Sequence, residues 1–171
     1  MILCNLAGIY KKNGEYDKAE LLYLEAKTVL EKLLEGEHPD YATSLNNLAV
    51  LYYNNGNLNK AEPLLLEAQS IREKALGKEH PNYVSSLNNL AQLYRDLGQL
   101  KNSEQYFTEA SSITKRILQK SSTYLSSQEL EKYIALYQNE NDAFYAFNNQ
   151  TTSDSFRIQS LNNALFYKGF A

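Results

Sequence analysis

The side chains best suited to chemistry in this sequence are one cysteine and two histidines. Cys4 is the only thiol, and His38 and His80 each stand directly before a proline. Catalysis by a thiol needs a base, normally histidine, within hydrogen-bond reach of the sulfur. Apolar spacing predicts a helix around Cys4, whereas both histidines fall in connections between helices. We therefore expect Cys4 to line a surface or to pack, and we predict no catalytic residue.

The remaining titratable groups do not indicate metal binding or acid–base catalysis. Two histidines without a cysteine or a third ligand make a poor zinc site, so we expect them to cap or pack within the connections. Glu20, Glu62 and Glu104 recur every 42 residues, which favours capping-box and surface roles over an acid–base pair. No glycine-rich phosphate loop is present. We predict a non-enzymatic protein without metal or cofactor.

An internal repeat of 42 residues positions all of these side chains. Residues 45–52 (LNNLAVLY) recur as residues 87–94 (LNNLAQLY), and residues 3–10 (LCNLAGIY) match both. A repeat of this size is a unit that cannot bury its apolar face alone and must stack on its neighbours. The sequence therefore predicts a stack of similar units.

Each unit reads as two helices, here called helix A and helix B. Helix A ends at a glycine, which favours the left-handed backbone conformation that terminates helices. Helix B is predicted to begin at Asp17 or Asn59, each with a glutamate three residues later as in a capping box. The apolar stripe predicted on helix A of the second unit consists of Leu45, Leu48, Ala49 and Tyr52.

Composition excludes several classes of protein. The net charge of −3 and the isoelectric point near 5.5 give no reason to expect nucleic-acid binding. No apolar run approaches the roughly 18 residues that indicate a membrane span. One cysteine excludes an internal disulfide and suits a reducing compartment, so we expect a cytoplasmic location without membrane association.

The repeat pattern is lost after about residue 119. Ser126 with Glu129 is predicted to cap a longer helix that ends near Phe147, and Asp154 or Ser155 can cap a last helix. We divide the chain into three repeats at 1–119, the first lacking its start, and a two-helix extension at 120–171. Since the first residue falls inside a repeat, we expect the chain to be a piece of a larger protein.

The recurring leucine, alanine, tyrosine and glycine positions resemble the tetratricopeptide signature. The period, the Asn-Asn-Leu-Ala stretch and the His-Pro connection resemble the kinesin-light-chain type in particular. This resemblance covers residues 1–119. It implies an all-α fold, a right-handed superhelix of antiparallel helix pairs, in which the A helices line a concave protein-binding groove. The residues that carry it in the second repeat are Leu48, Ala49, Tyr52, Gly56, Ala61, Leu65 and Ala68.

Residues 124–171 carry a second resemblance. The segments 124–133 (YLSSQELEKY), 143–147 (AFYAF) and 162–169 (NNALFYKG) look like the helices that join tetratricopeptide arrays to CHAT domains in bacterial proteins. CHAT domains resemble caspases and use a Cys/His pair. The resemblance implies a downstream CHAT domain in the parent protein as a possible intramolecular partner.

A polar stripe on helix A, next to the apolar one, is free to face the groove. Its asparagines can donate to and accept from a peptide backbone, and its basic residues favour acidic groups. Asn5, Asn47 and Asn89 either tie neighbouring repeats together or contact a partner. The residues predicted to contact a protein or peptide partner are Lys11, Lys12, Thr43, Asn46, Val50, Tyr53, Asn54, Ser85, Asn88, Gln92 and Arg95.

Two functions agree with these patterns. The first is a protein-interaction scaffold that binds a peptide or protein in the groove. The second is the regulatory arm of a caspase-like CHAT protease whose catalytic domain lies outside this chain.

Overall fold

The computed structural model describes residues 2–34 and 36–121, which form six α-helices and no strand. The first pair is α1 (Ile2–Lys12) and α2 (Tyr16–Leu33), and the second is α3 (Pro39–Asn54) and α4 (Leu58–Leu76). The third pair is α5 (Pro81–Asp96) and α6 (Leu100–Ser121). The prediction of an all-α fold built from helix pairs is confirmed for this part of the chain. The predicted two-helix extension lies outside the described residues.

The pairs stack in chain order. Each helix packs against its partner in the pair, and α2 and α4 also pack against the first helix of the next pair, α3 and α5. The second helices of the first and second pairs, α2 and α4, therefore each join two repeats. Stability in such a stack is the sum of terms within each repeat and at each junction between neighbours.

The turn between the two helices of a pair has the same geometry in all three repeats. In the second repeat Gly56 has φ +75°, its N–H donates to the carbonyl of Tyr53 at 3.0 Å, and the Asn57 N–H donates to the carbonyl of Tyr52 at 2.8 Å. These two bonds form a Schellman motif, which needs a positive φ that glycine adopts without strain. The predicted helix-ending role of this glycine is confirmed.

The predicted capping boxes at the start of α2 and α4 are wrong, and the one predicted at Ser126 lies outside the described residues. The residues before α2 and α4, Glu15 and Asn57, make no capping hydrogen bond with their side chains. Because the Schellman turn leads directly into the next helix, α4 begins at Leu58, and Asn59 is its second residue. Glu62 is then the fifth residue, too far along the helix to reach the first backbone N–H. The same shift places Asp17 inside α2.

The glutamates form hydrogen bonds between repeats instead. The hydroxyl of Tyr52 donates to Glu20 at 2.8 Å, and the hydroxyl of Tyr94 donates to Glu62 at 2.8 Å. Burial of the ring is the larger cause, and the bond to Glu20 the smaller, of a pKa of about 12 for Tyr52. Burial and the bond to Glu62 likewise raise the pKa of Tyr94. Each bond ties helix B of one repeat to helix A of the next.

The two histidines cap helices, as predicted. Nδ1 of His38 accepts a hydrogen bond from the Asp40 N–H at 3.1 Å, and Nδ1 of His80 accepts one from Asn82 at 3.1 Å. Each histidine is the N-cap residue, and the proline after it is the first helical residue, where no backbone donor is lost. Accepting this bond requires an unprotonated Nδ1.

The core includes the predicted stripe, and it also contains a buried charged side chain. Leu45, Leu48, Ala49 and Tyr52 are buried, and complete burial of such an apolar side chain contributes roughly 1.5–3 kcal/mol. This side chain is Arg72, a buried arginine on α4. Its Nη1 donates to the Ser86 hydroxyl at 2.7 Å, and burial lowers its pKa. Arg72 thereby links α4 to α5 by a polar contact at a position where the first repeat has Leu30.

Candidate protein-binding cleft

A cleft of about 170 Å³ lies where α3 and α5 run side by side. Its apolar wall comes from Ala49 and Val50 of α3 and from Leu65 of α4. Its polar wall comes from the amides of α3 and α5. Positions 50, 53 and 54 of α3 fall on one side of a helix, since 53 and 54 are three and four residues after 50, and position 49 is four residues before 53. The lining residues are Ala49, Val50, Tyr53, Asn54, Leu65, Asn89 and Gln92.

Four of the residues predicted to contact a partner line this cleft together: Val50, Tyr53, Asn54 and Gln92. Their side chains combine an aliphatic group, a phenol and two amides around one opening. Such a mixture of an apolar floor with a few polar groups is typical of ligand-binding clefts.

The other predicted residues lie outside the cleft lining. Thr43 and Ser85 are near the beginnings of α3 and α5, and the Thr43 hydroxyl donates to the Pro39 carbonyl at 3.0 Å within its own helix. Lys11 and Lys12 form the last turn of α1. The sequence placed all of them on one stripe, and the described cleft is lined by the part of that stripe around Val50, Tyr53, Asn54 and Gln92.

One predicted groove residue joins repeats. The Asn89 amide nitrogen donates to the Asn46 amide oxygen at 2.8 Å, which connects α5 to α3 beside the cleft. Of the two readings left open for Asn89, the one that ties neighbouring repeats together is confirmed. The same bond gives Asn46 a structural role in addition to any contact with a partner.

A polar cluster closes one end of the cleft. The Tyr53 hydroxyl donates to Asp96, and Nε of Arg95 donates to the other carboxylate oxygen at 2.7 Å. Burial and the Asp96 contact raise the pKa of Tyr53. Burial alone would raise the pKa of Asp96, but the bonds from Arg95 and Tyr53 lower it. Asp96 therefore stays ionised and neutralises Arg95, so the predicted attraction of Arg95 to acidic partners is reduced.

Leu65 was not identified as a groove residue from the sequence. It belongs to the buried stripe of helix B, and a helical wheel directs it towards helix A. Leu65 lines the cleft together with Ala49, but it is only 2% exposed. The small alanine at this repeat position is the signal that could have placed Leu65 close to the groove.

Cys4 does not have the surroundings of a nucleophile. It is half-buried and packs against the apolar core, and burial raises its thiol pKa. A raised pKa keeps the sulfur protonated and unreactive at neutral pH. Within residues 2–34 and 36–121 no group of three or more histidine, cysteine, aspartate or glutamate side chains is placed to hold a metal ion. In the same ranges no helix has the length and apolar character required to cross a bilayer.

Solved structures with a similar fold include two repeat proteins. BtubC (BKLC) from P. vanneervenii is 22% identical with a TM-score of 0.63, and the match covers 89% of this chain and 65% of that protein. This chain therefore spans less than two thirds of BtubC. A putative kinesin light chain with nearly identical TPR-like repeats from Podosopora anserina is 19% identical with a TM-score of 0.59. That match covers 98% of this chain and 92% of the other.

The family comparison agrees with the fold. No curated protein matches the chain. The family model described as tetratricopeptide repeat matches residues 1–65 and residues 43–116. These matches include the first two helix pairs, α5 and most of α6, and they cover more than half of the sequence, so this chain belongs to the tetratricopeptide repeat family.

Proposed function

We propose that this protein is a non-catalytic scaffold that binds a peptide or protein partner in the cleft between α3 and α5. The observation that carries the proposal is the cleft itself, about 170 Å³ with an apolar floor and an amide rim. Family membership supports an interaction role. The half-buried, protonated Cys4 and the helix-capping histidines offer no competing catalytic site.

The lining suggests how a partner is held. Asn54 and Gln92 carry donors and acceptors that match a peptide backbone with little demand on its sequence. Val50, which is half-buried, offers apolar surface to one side chain of the partner, with the buried Leu65 behind it. An extended or helical segment that lays a single aliphatic or small aromatic side chain into the cleft satisfies both features.

Charge makes a smaller contribution to the proposed binding. Arg95 is neutralised by Asp96, so the middle of the groove has no strong preference for anions. Lys11 and Lys12, in the last turn of α1, remain as a source of attraction for an acidic end of the partner. We expect the salt dependence of binding to reflect these two lysines, and we expect no nucleic-acid binding.

Selection from a random peptide library tests the proposal. The immobilised chain is used to enrich peptides, and the affinity of a selected peptide is then measured by fluorescence anisotropy. Val50→Trp fills the cleft and is expected to weaken binding at least about tenfold, which corresponds to roughly 1.4 kcal/mol. Val29→Trp is the matched control, because Val29 is an exposed valine on α2 that does not line the cleft.

Two outcomes would refute the cleft as the binding site. One is the failure of any peptide to be enriched. The other is equal binding by the wild type and by Val50→Trp, with circular dichroism showing that the variant is folded.

The second function remains a proposal that rests on the resemblance of residues 124–171 to CHAT-associated helices. Under it, the repeats form the regulatory arm of a caspase-like protease. A longer reading frame with downstream histidine and cysteine codons would support it, and a stop codon near position 171 would exclude it. Under either function we propose a cytoplasmic location, in keeping with a single, unpaired cysteine.

A further inference from the structure

The two helix-capping histidines, His38 and His80, are the only histidines in the sequence. An imidazole gains its second proton between about pH 8 and pH 5, and Nδ1 then carries a hydrogen and cannot accept a bond. The added positive charge lies at the N-terminus of a helix, where the partial positive charge of the backbone opposes it. Protonation therefore removes a cap and adds an unfavourable charge at the start of α3 and of α5.

The residue two positions after each histidine decides whether this charge is compensated. After His38 it is Asp40, whose Oδ2 lies 3.8 Å from Nδ1 of the histidine. After His80 it is Asn82, an uncharged amide that cannot form an ion pair. Pairing with Asp40 therefore offsets part of the cost at α3, and Asn82 offers no such compensation at α5.

A second difference between the two sites is the buried Arg72 of α4. Its Nη1 donates to the carbonyl of Asn82 at 3.2 Å, and the N–H of the same asparagine donates to His80. Arg72 is 5% exposed, its Nε has no hydrogen-bond partner, and no carboxylate within the described residues forms an ion pair with it. The first repeat has the uncharged Leu30 at this position. Protonation of His80 therefore adds a second positive charge around Asn82.

The other charged groups around His80 do not supply the missing negative charge. Glu79 precedes it, but its carboxylate lies 2.8 Å from Nε of Arg116 and 2.7 Å from Nζ of Lys120, both on α6. Lys78 is a further positive charge, which pairs with carboxylates of α4 and α6. The negative charge close to the start of α5 is thus already neutralised by lysine and arginine.

We propose that the junction between α4 and α5 is pH-sensitive and weakens when His80 gains a proton. The junction between α2 and α3 responds less, because Asp40 pairs with the protonated His38 and because Leu30 carries no charge. Mild acidification therefore weakens the attachment of the third repeat more than that of the second. This inference does not depend on the proposed function.

The pH dependence of urea unfolding tests the proposal. The urea midpoint is measured by circular dichroism from about pH 7.5 to about pH 5.5, where imidazoles titrate and most carboxylates stay ionised. We expect the midpoint to fall as the pH is lowered, because the unfolded chain binds histidine protons that the folded caps exclude. His80→Asn keeps a capping oxygen that does not titrate, and it is expected to remove more than half of the fall. His38→Asn is the matched control and is expected to remove less than half.

Exchanging the residues that follow the histidines provides a second test in which both imidazoles remain. Asn82→Asp gives His80 the carboxylate that His38 has, so the fall in the urea midpoint is expected to become smaller. Asp40→Asn removes the carboxylate beside His38, so the fall is expected to become larger. Arg72→Leu reproduces the first repeat and is expected to make the fall smaller.

Three results would overturn the proposal. One is a wild-type midpoint that does not change over this pH range. Another is an undiminished fall in the double variant His38→Asn with His80→Asn, which would assign the pH dependence to other groups. The third is an equal effect of the two single histidine substitutions, which would show that Asp40 and Arg72 do not distinguish the junctions.

Discussion

Glu62 was predicted to cap its own helix, but in the structure it accepts a hydrogen bond from Tyr94 of the next repeat. Mutation of Tyr94 tests which of these two roles is correct. Tyr94→Phe removes the hydroxyl but keeps the ring, which stacks on Tyr106 with the centroids 5.5 Å apart. A hydrogen bond to a charged group contributes about 1.5–3 kcal/mol. Because Glu62 is half-buried and water can solvate part of its carboxylate, we expect the lower end of that range.

The assay is urea unfolding followed by far-UV circular dichroism at neutral pH. A double-mutant cycle of Tyr94→Phe and Glu62→Gln is expected to give a coupling free energy of about 1 kcal/mol. Asn59→Ala provides the opposing test. Loss of an N-cap would destabilise the protein by about 1 kcal/mol, whereas alanine at the second position of α4 is expected to stabilise the helix by a few tenths. Zero coupling between Tyr94 and Glu62, together with destabilisation by Asn59→Ala, would refute the structural assignment.

Three further predictions concern the junctions between repeats. Leu90→Ala is expected to lower the free energy of urea unfolding by about 2–5 kcal/mol, and Leu6→Ala, at the exposed equivalent position, by less than about 1 kcal/mol; equal losses would contradict the exposure of Leu6 in α1. The pKa of Tyr52 is about 12 in the folded chain and roughly 10 in the unfolded chain. Between these two pH values the unfolded chain binds fewer protons than the folded chain, so the free energy of unfolding falls as the pH rises. The fall attributable to Tyr52 is at most about 1.4 kcal/mol per pH unit, and urea midpoints measured across this range should decline less steeply for Tyr52→Phe. Asn46→Ala is expected to lower the free energy of unfolding by about 1 kcal/mol because it removes the acceptor for Asn89, and an unchanged thermal midpoint would return Asn46 to a purely partner-binding role.

The sequence by itself determined the repeat architecture. Helical spacing of apolar residues, the glycine at each turn and the His-Pro connections are local signals, and each occurs more than once. The buried positions of Leu45, Leu48, Ala49 and Tyr52 follow from this pattern, because one face of an amphipathic helix must be removed from water. The histidine caps were predictable for the same reason, since a cap involves only residues adjacent in the chain.

Only the tertiary structure decided which polar residues join repeats. Glu20 and Glu62 have the spacing of a capping box, but the N-cap residues of α2 and α4 lie two residues earlier than predicted, at Glu15 and Asn57. Both glutamates are therefore too far along the helix to cap it, and each accepts a hydrogen bond from a tyrosine of the next repeat. Asn46 and Asn89 are 43 residues apart, and no local sequence pattern predicts the hydrogen bond between their amides.

The cleft shows the same division. Spacing placed Val50, Tyr53, Asn54 and Gln92 on a groove-facing stripe, but the cavity depends on the separation of α3 from α5 and on the small side chain of Ala49 between them. The periodic sequence determined which face each residue occupies, because that depends on the geometry of one helix. The packing of three helices decided where the space lies, because a cavity depends on distances between segments that are far apart in the chain.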